Sequence, residues 1–238
     1  MNKSRGLFIT GTDTGVGKTL VSAILAVFLR HQGRAFSYLK PMESGIADQD
    51  ALAHDSDGSQ VRQAAALQTP LSEIIPFTFR EPLAPLLAAR RQQQVISRET
   101  LRTTSQTHLE RHPFTLVEGA GGLLVPLCPQ YLVVDLIQDL QLPVLLVCRS
   151  ALGGVNHTLL SLACLRQAGI PIAGLVVNHL NGPPGIAEQH FSAQIEEFDP
   201  VPILGELPFQ PAISFTSEAL LPLAAQLNLD HFFTQLIG

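Results

Sequence analysis

The 238-residue chain is 46% hydrophobic and 15% charged, a composition that excludes a disordered protein and is typical of one large packed domain. Its formal net charge of −5 argues against a nucleic-acid-binding surface, which needs a basic excess. The longest apolar stretch, Leu20–Leu29, is about half a membrane span, and the three cysteines are widely spaced, so we expect a reduced, cytoplasmic protein.

Short apolar runs that favour strands alternate with segments of helical periodicity along the chain. The predicted strands are Gly6–Thr10, Ala35–Lys40, Phe114–Gly119, Leu142–Cys148, Ile172–Asn178 and Val201–Pro208. The predicted helices are Thr19–Gln32, Gln60–Leu67, Pro82–Gln93, Arg98–His112, Val155–Ala168, Gly185–Phe198 and the C-terminal region. This order predicts an α/β fold, a doubly wound and mainly parallel sheet with helices on both faces. We expect one domain over residues 1–238, with ligands at the carboxyl ends of the strands.

The first strand leads into Gly11–Thr19, which resembles a phosphate-binding loop with one residue more than the usual spacing. Gly15 and Gly17 let backbone N–H groups turn onto phosphate oxygens, at the positive end of the following helix. In this pattern Lys18 reaches the outer phosphates and the Thr19 hydroxyl binds Mg²⁺. The alternative, a glycine-rich turn without a ligand, is disfavoured by the Lys-Thr pair.

Two further strand ends place charged residues at the same edge of the sheet. Lys40 ends the second predicted strand beside the phosphate loop, and the proline after it favours an extended backbone, so we favour a functional lysine over a solvated one. Glu118 resembles the acid that helps to hold Mg²⁺ in phosphate-loop enzymes; the alternative is an exposed residue in a tight turn. Asp57 lies in an acid-rich turn whose spacing alone indicates a helix cap.

Other positions carry weaker signals. Gly153-Gly154 precedes a predicted helix and is a second candidate for anion binding, whereas Ser44 alone indicates a turn. The sequence contains no recognisable Ser/His/Asp arrangement and no His/Cys cluster with metal-ligand spacing. The residues alone therefore predict an Mg²⁺- and nucleotide-dependent enzyme or molecular switch, with a second lysine near the γ-phosphate.

The ordered motifs "GTDTGVGKT", "LKPMESG", "VEGAGG", "LGGVNHTLL" and "LGELP" resemble those of the dethiobiotin synthetase family, over about Leu7–Phe209. The resemblance implies ATP-dependent closure of a cyclic urea on 7,8-diaminononanoate with CO₂, in biotin synthesis. CO₂ adds to one amine to give a carbamate, which attacks the γ-phosphate of ATP. The second amine then attacks the mixed anhydride and expels phosphate. Cations must bring two anions together, and no activated side-chain nucleophile is needed.

The resemblance also implies how the charged residues share this work. Lys18 and Lys40 would be the catalytic cations, with Lys40 nearest the carbamate. The ligands of Mg²⁺ would be Thr19, Asp57 and Glu118.

The remaining implied roles concern the binding of the two large substrates. The residues that would contact ATP are Gly15, Val16, Gly17, Lys18, Thr19, Leu20, Asp57, Glu118, Gly119, Ala120, Gly121, Asn178, His179, Leu207, Pro208 and Phe209. Ser44 would contact the diamine. The family implies a homodimer, in which Gly153 and Gly154 of the partner subunit would lie near the diamine carboxylate.

Some positions depart from the family pattern. Glu43 stands where a small residue is frequent, Ala151 stands where a lysine is common, and no acid follows Phe209 near the nucleotide. These departures concern the diamine, base and ribose contacts and leave the phosphate chemistry intact.

Two other classes of protein share the expected fold and loop. A partition-type ATPase switch carries a signature lysine where this chain has Asp13. An amidating synthetase of the cobyrinate type usually adds a glutaminase domain, for which 238 residues leave no room.

Overall fold

A computed structural model describes residues 5–182 and 185–237. The strands are β1 (Gly6–Gly11), β2 (Ser37–Leu39), β3 (Met42–Ser44), β4 (Phe77–Phe79), β5 (Thr115–Gly122), β6 (Pro126–Cys128), β7 (Tyr131–Leu132), β8 (Val144–Arg149), β9 (Ile172–Asn178) and β10 (Ile203–Leu207). Six of them form one sheet in the order β10-β9-β8-β1-β5-β2, and every neighbouring pair is parallel. The predicted parallel α/β sheet is confirmed.

Helices cover both faces of this sheet. They are α1 (Lys18–His31), α2 (Gln49–His54), α3 (Asp57–Ala64), α4 (Leu71–Ile74), α5 (Pro85–Arg91), α6 (Arg98–Arg111), α7 (Val133–Leu140), α8 (Gly154–Gln167), α9 (Ile186–Gln189), α10 (Phe191–Phe198), α11 (Ser217–Ala224) and α12 (Leu229–Ile237). Apolar residues of α1, α3, α11 and α12 pack on one face, and those of α5, α6, α7, α8 and α10 pack on the other. Alternate residues of β1 serve the two cores: Leu7 and Ile9 belong to the first and Phe8 to the second.

Several predicted boundaries shift for local physical reasons. The helix predicted at Gln60–Leu67 begins three residues earlier, because Ser56 caps it by accepting a hydrogen bond from the Ser59 N–H at 3.0 Å. The helix predicted from Pro82 begins instead at Pro85, a residue that suits the first helical position. The single helix predicted over Gly185–Phe198 is wrong, because α9 and α10 are separated at His190.

Some elements were not predicted at all. The pairs β3–β4 and β6–β7 form two small sheets beside the main one. Helix α7 follows β7 directly and buries its apolar face, with the Asp135 carboxylate accepting a hydrogen bond from the Leu132 N–H at 2.7 Å. None of the helices in the described ranges is long and apolar enough to cross a membrane.

Candidate active site

The loop between β1 and α1 has the geometry of an anion cradle. Gly15 and Gly17 have positive φ angles of 75° and 98°, which glycine adopts without strain, and Gly17 is the N-cap of α1. A side chain at Gly17 would collide with the Asn178 amide. The first turn of α1 contains no acidic residue, so its free N–H groups and the helix dipole are available to an anion.

Lys18 folds back inside this loop. Its ammonium nitrogen donates a hydrogen bond to the Asp13 carbonyl at 3.1 Å, and the side chain is buried. Burial lowers the pKa of Lys18, the charge of Glu118 opposes that shift, and the charge of Lys40 adds to it. Lys18 and Lys40, which the sequence predicts to be functional, therefore lie close enough for the charge of one to affect the pKa of the other.

Lys40 lies between two carboxylates at the end of β2. Its ammonium nitrogen forms an ion pair with Asp57 and lies 2.8 Å from Oε1 of Glu118. Burial would lower the pKa of Lys40, but the negative charges of Glu118 and Asp57 raise it above the usual lysine value. Lys40 is thus a buried, permanently charged ammonium and not a solvated surface lysine.

Glu118 is fully buried within β5, so the alternative of an exposed turn residue is wrong. The Thr19 hydroxyl donates to its Oε1 at 3.0 Å, and the Tyr38 hydroxyl donates to its Oε2 at 2.8 Å. Burial would raise the pKa of Glu118, but the charge and hydrogen bond of Lys40 lower it, so the group is a carboxylate at neutral pH. Sequence reasoning missed Tyr38, although its position two residues before Lys40 on a strand puts both side chains on one face.

Glu43 is buried on β3 and is not a solvated surface charge. Its Oε1 accepts a hydrogen bond from the Asp57 N–H at 2.6 Å, and its Oε2 accepts one from the Gly58 N–H at 3.4 Å. Burial raises the pKa of the Glu43 carboxyl to about 7, the charge of Lys40 opposes the shift, and the charge of Asp57 adds to it.

A cavity of about 310 Å³ opens beside Lys40. Glu43, Ser44, Ala120 and Gly121 also line it, together with the chain from residue 82 to 85. Ser44 lies in β3 and not in a turn, and its hydroxyl is buried with no hydrogen-bond partner among the described residues. A polar ligand in this cavity would therefore find one ammonium and one uncommitted hydroxyl.

The backbone after Glu118 is shaped for close packing. Gly119 packs so tightly on Phe8 that a side chain there would meet the ring at 2.9 Å. Gly121 has a positive φ of 71° and lies against Val125. The fold therefore favours glycine at 119 and 121, and Ala120 and Gly121 also face the cavity.

The loops after β9 and β10 border the phosphate loop. The Asn178 amide donates to the Val16 carbonyl at 3.0 Å, which ties β9 to the cradle. His179 uses both ring nitrogens, with Ser150 Oγ at 2.6 Å from Nδ1 and Glu206 Oε2 at 2.6 Å from Nε2.

Three further predicted ATP contacts are the last residue of β10 and the two residues after it. The backbone N–H of His179 donates to the Leu207 carbonyl at 3.0 Å, and Pro208 and Phe209 continue the chain from there. Phe209 is partly exposed.

Gly153 and Gly154 have no direct polar contact with the Lys40 ion pairs. Among residues 5–182 and 185–237, no hydrogen bond or ion pair links them to Lys40, Asp57 or Glu118. Gly153 has a positive φ of 85° and is the N-cap of α8, whose N-terminal N–H groups follow the carboxyl end of β8. Their predicted contact with the diamine carboxylate therefore stays a prediction.

Comparison with known proteins gives sequence relatives over most of the chain. The model of a family described as an AAA domain matches residues 5–217. The ATP-dependent dethiobiotin synthetase of Bacillus licheniformis is 40% identical over 206 residues, which cover 86% of this chain and 86% of that protein. The ATP-dependent dethiobiotin synthetase of Anaeromyxobacter dehalogenans is 40% identical over 216 residues, which cover 91% and 95% respectively.

Solved structures of similar fold are far more distant in sequence. A ParA family ATPase from Chlorobium tepidum TLS superposes with a TM-score of 0.56 at 13% identity, covering 94% of this chain and 100% of that one. A putative plasmid partition protein from Borrelia burgdorferi B31, bound to AMPPNP, gives a TM-score of 0.59 at 11% identity, covering 98% and 99%. At this level of identity the likeness extends to the fold alone.

Proposed function

The chain belongs to the ATP-dependent dethiobiotin synthetase family, and from that premise we propose how its own residues carry out the synthesis. ATP, CO₂ and 7,8-diaminononanoate are the substrates, and dethiobiotin, ADP and phosphate are the products. The observation that carries the proposal is the pair of buried ammonium groups, Lys18 and Lys40, between the phosphate loop and the cavity lined by Ser44.

Each ammonium group has a distinct task in this proposal. Residues from Gly15 to Leu20 hold the triphosphate, and Lys18 exchanges its bond to the Asp13 carbonyl for the outer phosphates. Lys40 faces the cavity, where its charge offsets the repulsion between the carbamate and the γ-phosphate. The Ser44 hydroxyl orients an amine of the diamine, and exclusion of water by the bound substrates limits hydrolysis of the mixed anhydride.

The donors around Lys40 fit Mg²⁺. The Thr19 hydroxyl and the carboxylates of Asp57 and Glu118 are hard oxygen donors, and Mg²⁺ with a nucleotide is usually bound by about one or two carboxylates plus phosphate oxygens. The described residues contain no cluster of three or more His, Cys, Asp or Glu side chains that would hold a metal without a nucleotide. When bound, Mg²⁺ would neutralise charge on the phosphates.

We extend the proposal to the remaining contacts and to the assembly. Asn178 and the backbone from Leu207 to Phe209 border the adenine. The chain acts as one domain in a cytoplasmic homodimer, with the N-terminus of the partner's α8 completing the diamine site. Leu124 and Leu160, which are 64% and 61% exposed beside a second cavity of about 430 Å³, support a contact with a second copy.

The proposed synthesis can be tested with purified protein, ATP, Mg²⁺, bicarbonate and 7,8-diaminononanoate. We expect a product with the mass of dethiobiotin and one phosphate released for each product formed. Asp57→Asn and Glu118→Gln should raise the Mg²⁺ concentration needed for half-maximal rate. Phosphate release that ignores the diamine would favour a partition-type switch instead.

A further inference from the structure

Glu43 holds the end of α3 that carries Asp57. The first N–H groups of a helix have no partner within the helix, and a carboxylate placed there is also favoured by the helix dipole. Here the Glu43 carboxylate accepts the N–H groups of Asp57 and Gly58, at 2.6 Å and 3.4 Å. The hydroxyl of Ser56 caps the same helix through a separate bond to the Ser59 N–H.

The hydrogen bond between Glu43 and the Asp57 N–H connects Glu43 to the ion pair between Asp57 and Lys40. The backbone nitrogen of Asp57 is fixed by Glu43, and its carboxylate forms an ion pair with the Lys40 ammonium. Lys40 and Glu43 lie three residues apart, on the short segment that also carries Ser44. One segment of chain therefore sets the positions of both partners of the ion pair.

The burial of Glu43 is consistent with a role in holding the start of α3. A buried carboxylate is costly unless hydrogen bonds satisfy it, and the described structure gives Glu43 these backbone bonds. We propose that Glu43 is a positioning residue, which aligns the Asp57 carboxylate with Lys40 and with the bound metal by capping α3. This inference rests on the metal role proposed above for Asp57.

Two conservative variants separate the reach of Glu43 from its charge. Glu43→Gln keeps the length and one acceptor oxygen but loses the charge, whereas Glu43→Asp keeps the charge but is too short to make the same bond. The measurement is Mn²⁺ affinity at saturating ADP, by electron paramagnetic resonance. We expect Glu43→Asp to weaken Mn²⁺ by about 10–100-fold, the usual loss when a residue that orients a metal ligand is changed. Glu43→Gln should remain close to the wild type.

Ser56→Ala is the matched control, because it removes the other cap of α3 and leaves the bond between Glu43 and Asp57. It should lower the melting temperature without changing Mn²⁺ affinity. In an Asp57→Asn background, Glu43→Asp should have no further effect on the metal. At saturating Mg²⁺ the kcat of Glu43→Asp should recover towards the wild-type value.

Other patterns would overturn the inference. Wild-type Mn²⁺ affinity in Glu43→Asp would remove the positioning role, and an equal loss in Glu43→Gln would assign the effect to charge. An equal loss in Ser56→Ala would reduce Glu43 to an ordinary helix cap. Failure of the wild type to make dethiobiotin would instead overturn the proposed function, and that result is separate from these metal affinities.

Discussion

The ammonium nitrogen of Lys40 lies 2.8 Å from Oε1 of Glu118 and pairs at the same time with Asp57. One buried cation thus pairs with both of the carboxylates that we assign to the metal, and the three groups together keep a charge of −1. Charge balance explains the arrangement, since a fully buried carboxylate without a counter-ion is strongly unfavourable. The same balance implies that Lys40 and a divalent ion compete for these oxygens.

Replacement of Lys40 by methionine should separate catalysis from nucleotide binding. We expect kcat for dethiobiotin to fall by about 10²–10³, the usual cost of removing one preorganised charge partner in a reacting site. The KM for ATP should change little, because the phosphates are held by the loop around Gly15 and Gly17. Steady-state kinetics with saturating diamine measure both quantities, and an unchanged kcat would remove the assigned role of Lys40.

The same Lys40→Met variant also tests whether Lys40 and Mg²⁺ compete for the carboxylate oxygens of Asp57 and Glu118. Loss of the ammonium leaves Glu118 and Asp57 without their counter-ion, which should destabilise the fold by about 3–5 kcal/mol. Mg²⁺ added together with ADP should restore more of the melting temperature in Lys40→Met than in the wild type. Equal Mg²⁺ effects in the two proteins would argue against a shared site.

Lys18→Met should abolish ATP turnover and weaken ATP binding, because Lys18 is the cation inside the phosphate loop. Arg30→Met is a matched control, since it removes an exposed cation from the other end of α1. The control should retain wild-type turnover in a phosphate-release assay. Substantial ATP turnover by Lys18→Met would contradict the phosphate role.

Tyr38→Phe should reveal a second residue that positions a metal ligand. The Tyr38 hydroxyl donates to Glu118 Oε2 at 2.8 Å, and the chain's other tyrosine, Tyr131, donates to Asp139 Oδ2 at the same distance, away from the cavity. Each Tyr→Phe change should cost about 1.5–3 kcal/mol of stability, the range for hydrogen bonds to charged groups. Only Tyr38→Phe should raise the Mg²⁺ requirement of synthesis. An equal shift in Tyr131→Phe would indicate a general loss of stability.

Much of the fold could be predicted from the sequence because the pattern is strong there. Runs such as residues 144–148 are apolar on successive residues, which fits a strand covered on both faces, and the structure buries every residue of this run. Helix α7 was missed although Val133, Ile137 and Leu140 follow helical spacing, because the segment directly follows a short strand.

The candidate site was predictable only in part. Because Lys40 and Glu118 each lie at the end of a predicted strand, the sequence indicates that they share an edge of the sheet. It does not indicate which residues their side chains contact. Asp57 meets Lys40 through a tertiary contact, and its backbone N–H is bonded to Glu43, 14 residues away, by a hydrogen bond with no local sequence signature. The roles of these residues in binding stay predictions.

Replacement of His179 should affect the adenine more than the phosphates. His179 joins the ends of β8, β9 and β10 through Ser150 and Glu206, so its side chain supports the loops and is not free for a ligand. We expect His179→Phe to weaken ATP while leaving the affinity for inorganic tripolyphosphate, which lacks the adenine, unchanged. Calorimetric titration of both ligands tests this, and equal losses would place the defect in the phosphate loop.

The pH dependence of stability should carry a contribution from His108, which is not one of the residues of the candidate site. Burial, and then the charge of His112, lowers the pKa of His108 from 6.5 to about 4, and Ser37 Oγ lies 2.8 Å from its Nε2. The unfolded chain therefore binds this proton more readily than the folded one. The stabilisation is fully present above pH 6.5 and is lost as the pH falls towards 4.

The expected contribution of His108 is at most about 3 kcal/mol, from the size of the pKa shift. Chemical denaturation of the wild type and His108→Gln between these pH values measures it as a difference in unfolding free energy. The raised pKa of Glu43 acts in the opposite direction, but it is present in both proteins and cancels. His54→Gln, at a side chain that is 72% exposed, is the matched control and should follow the wild type. Parallel curves for the wild type and His108→Gln would contradict a neutral buried imidazole.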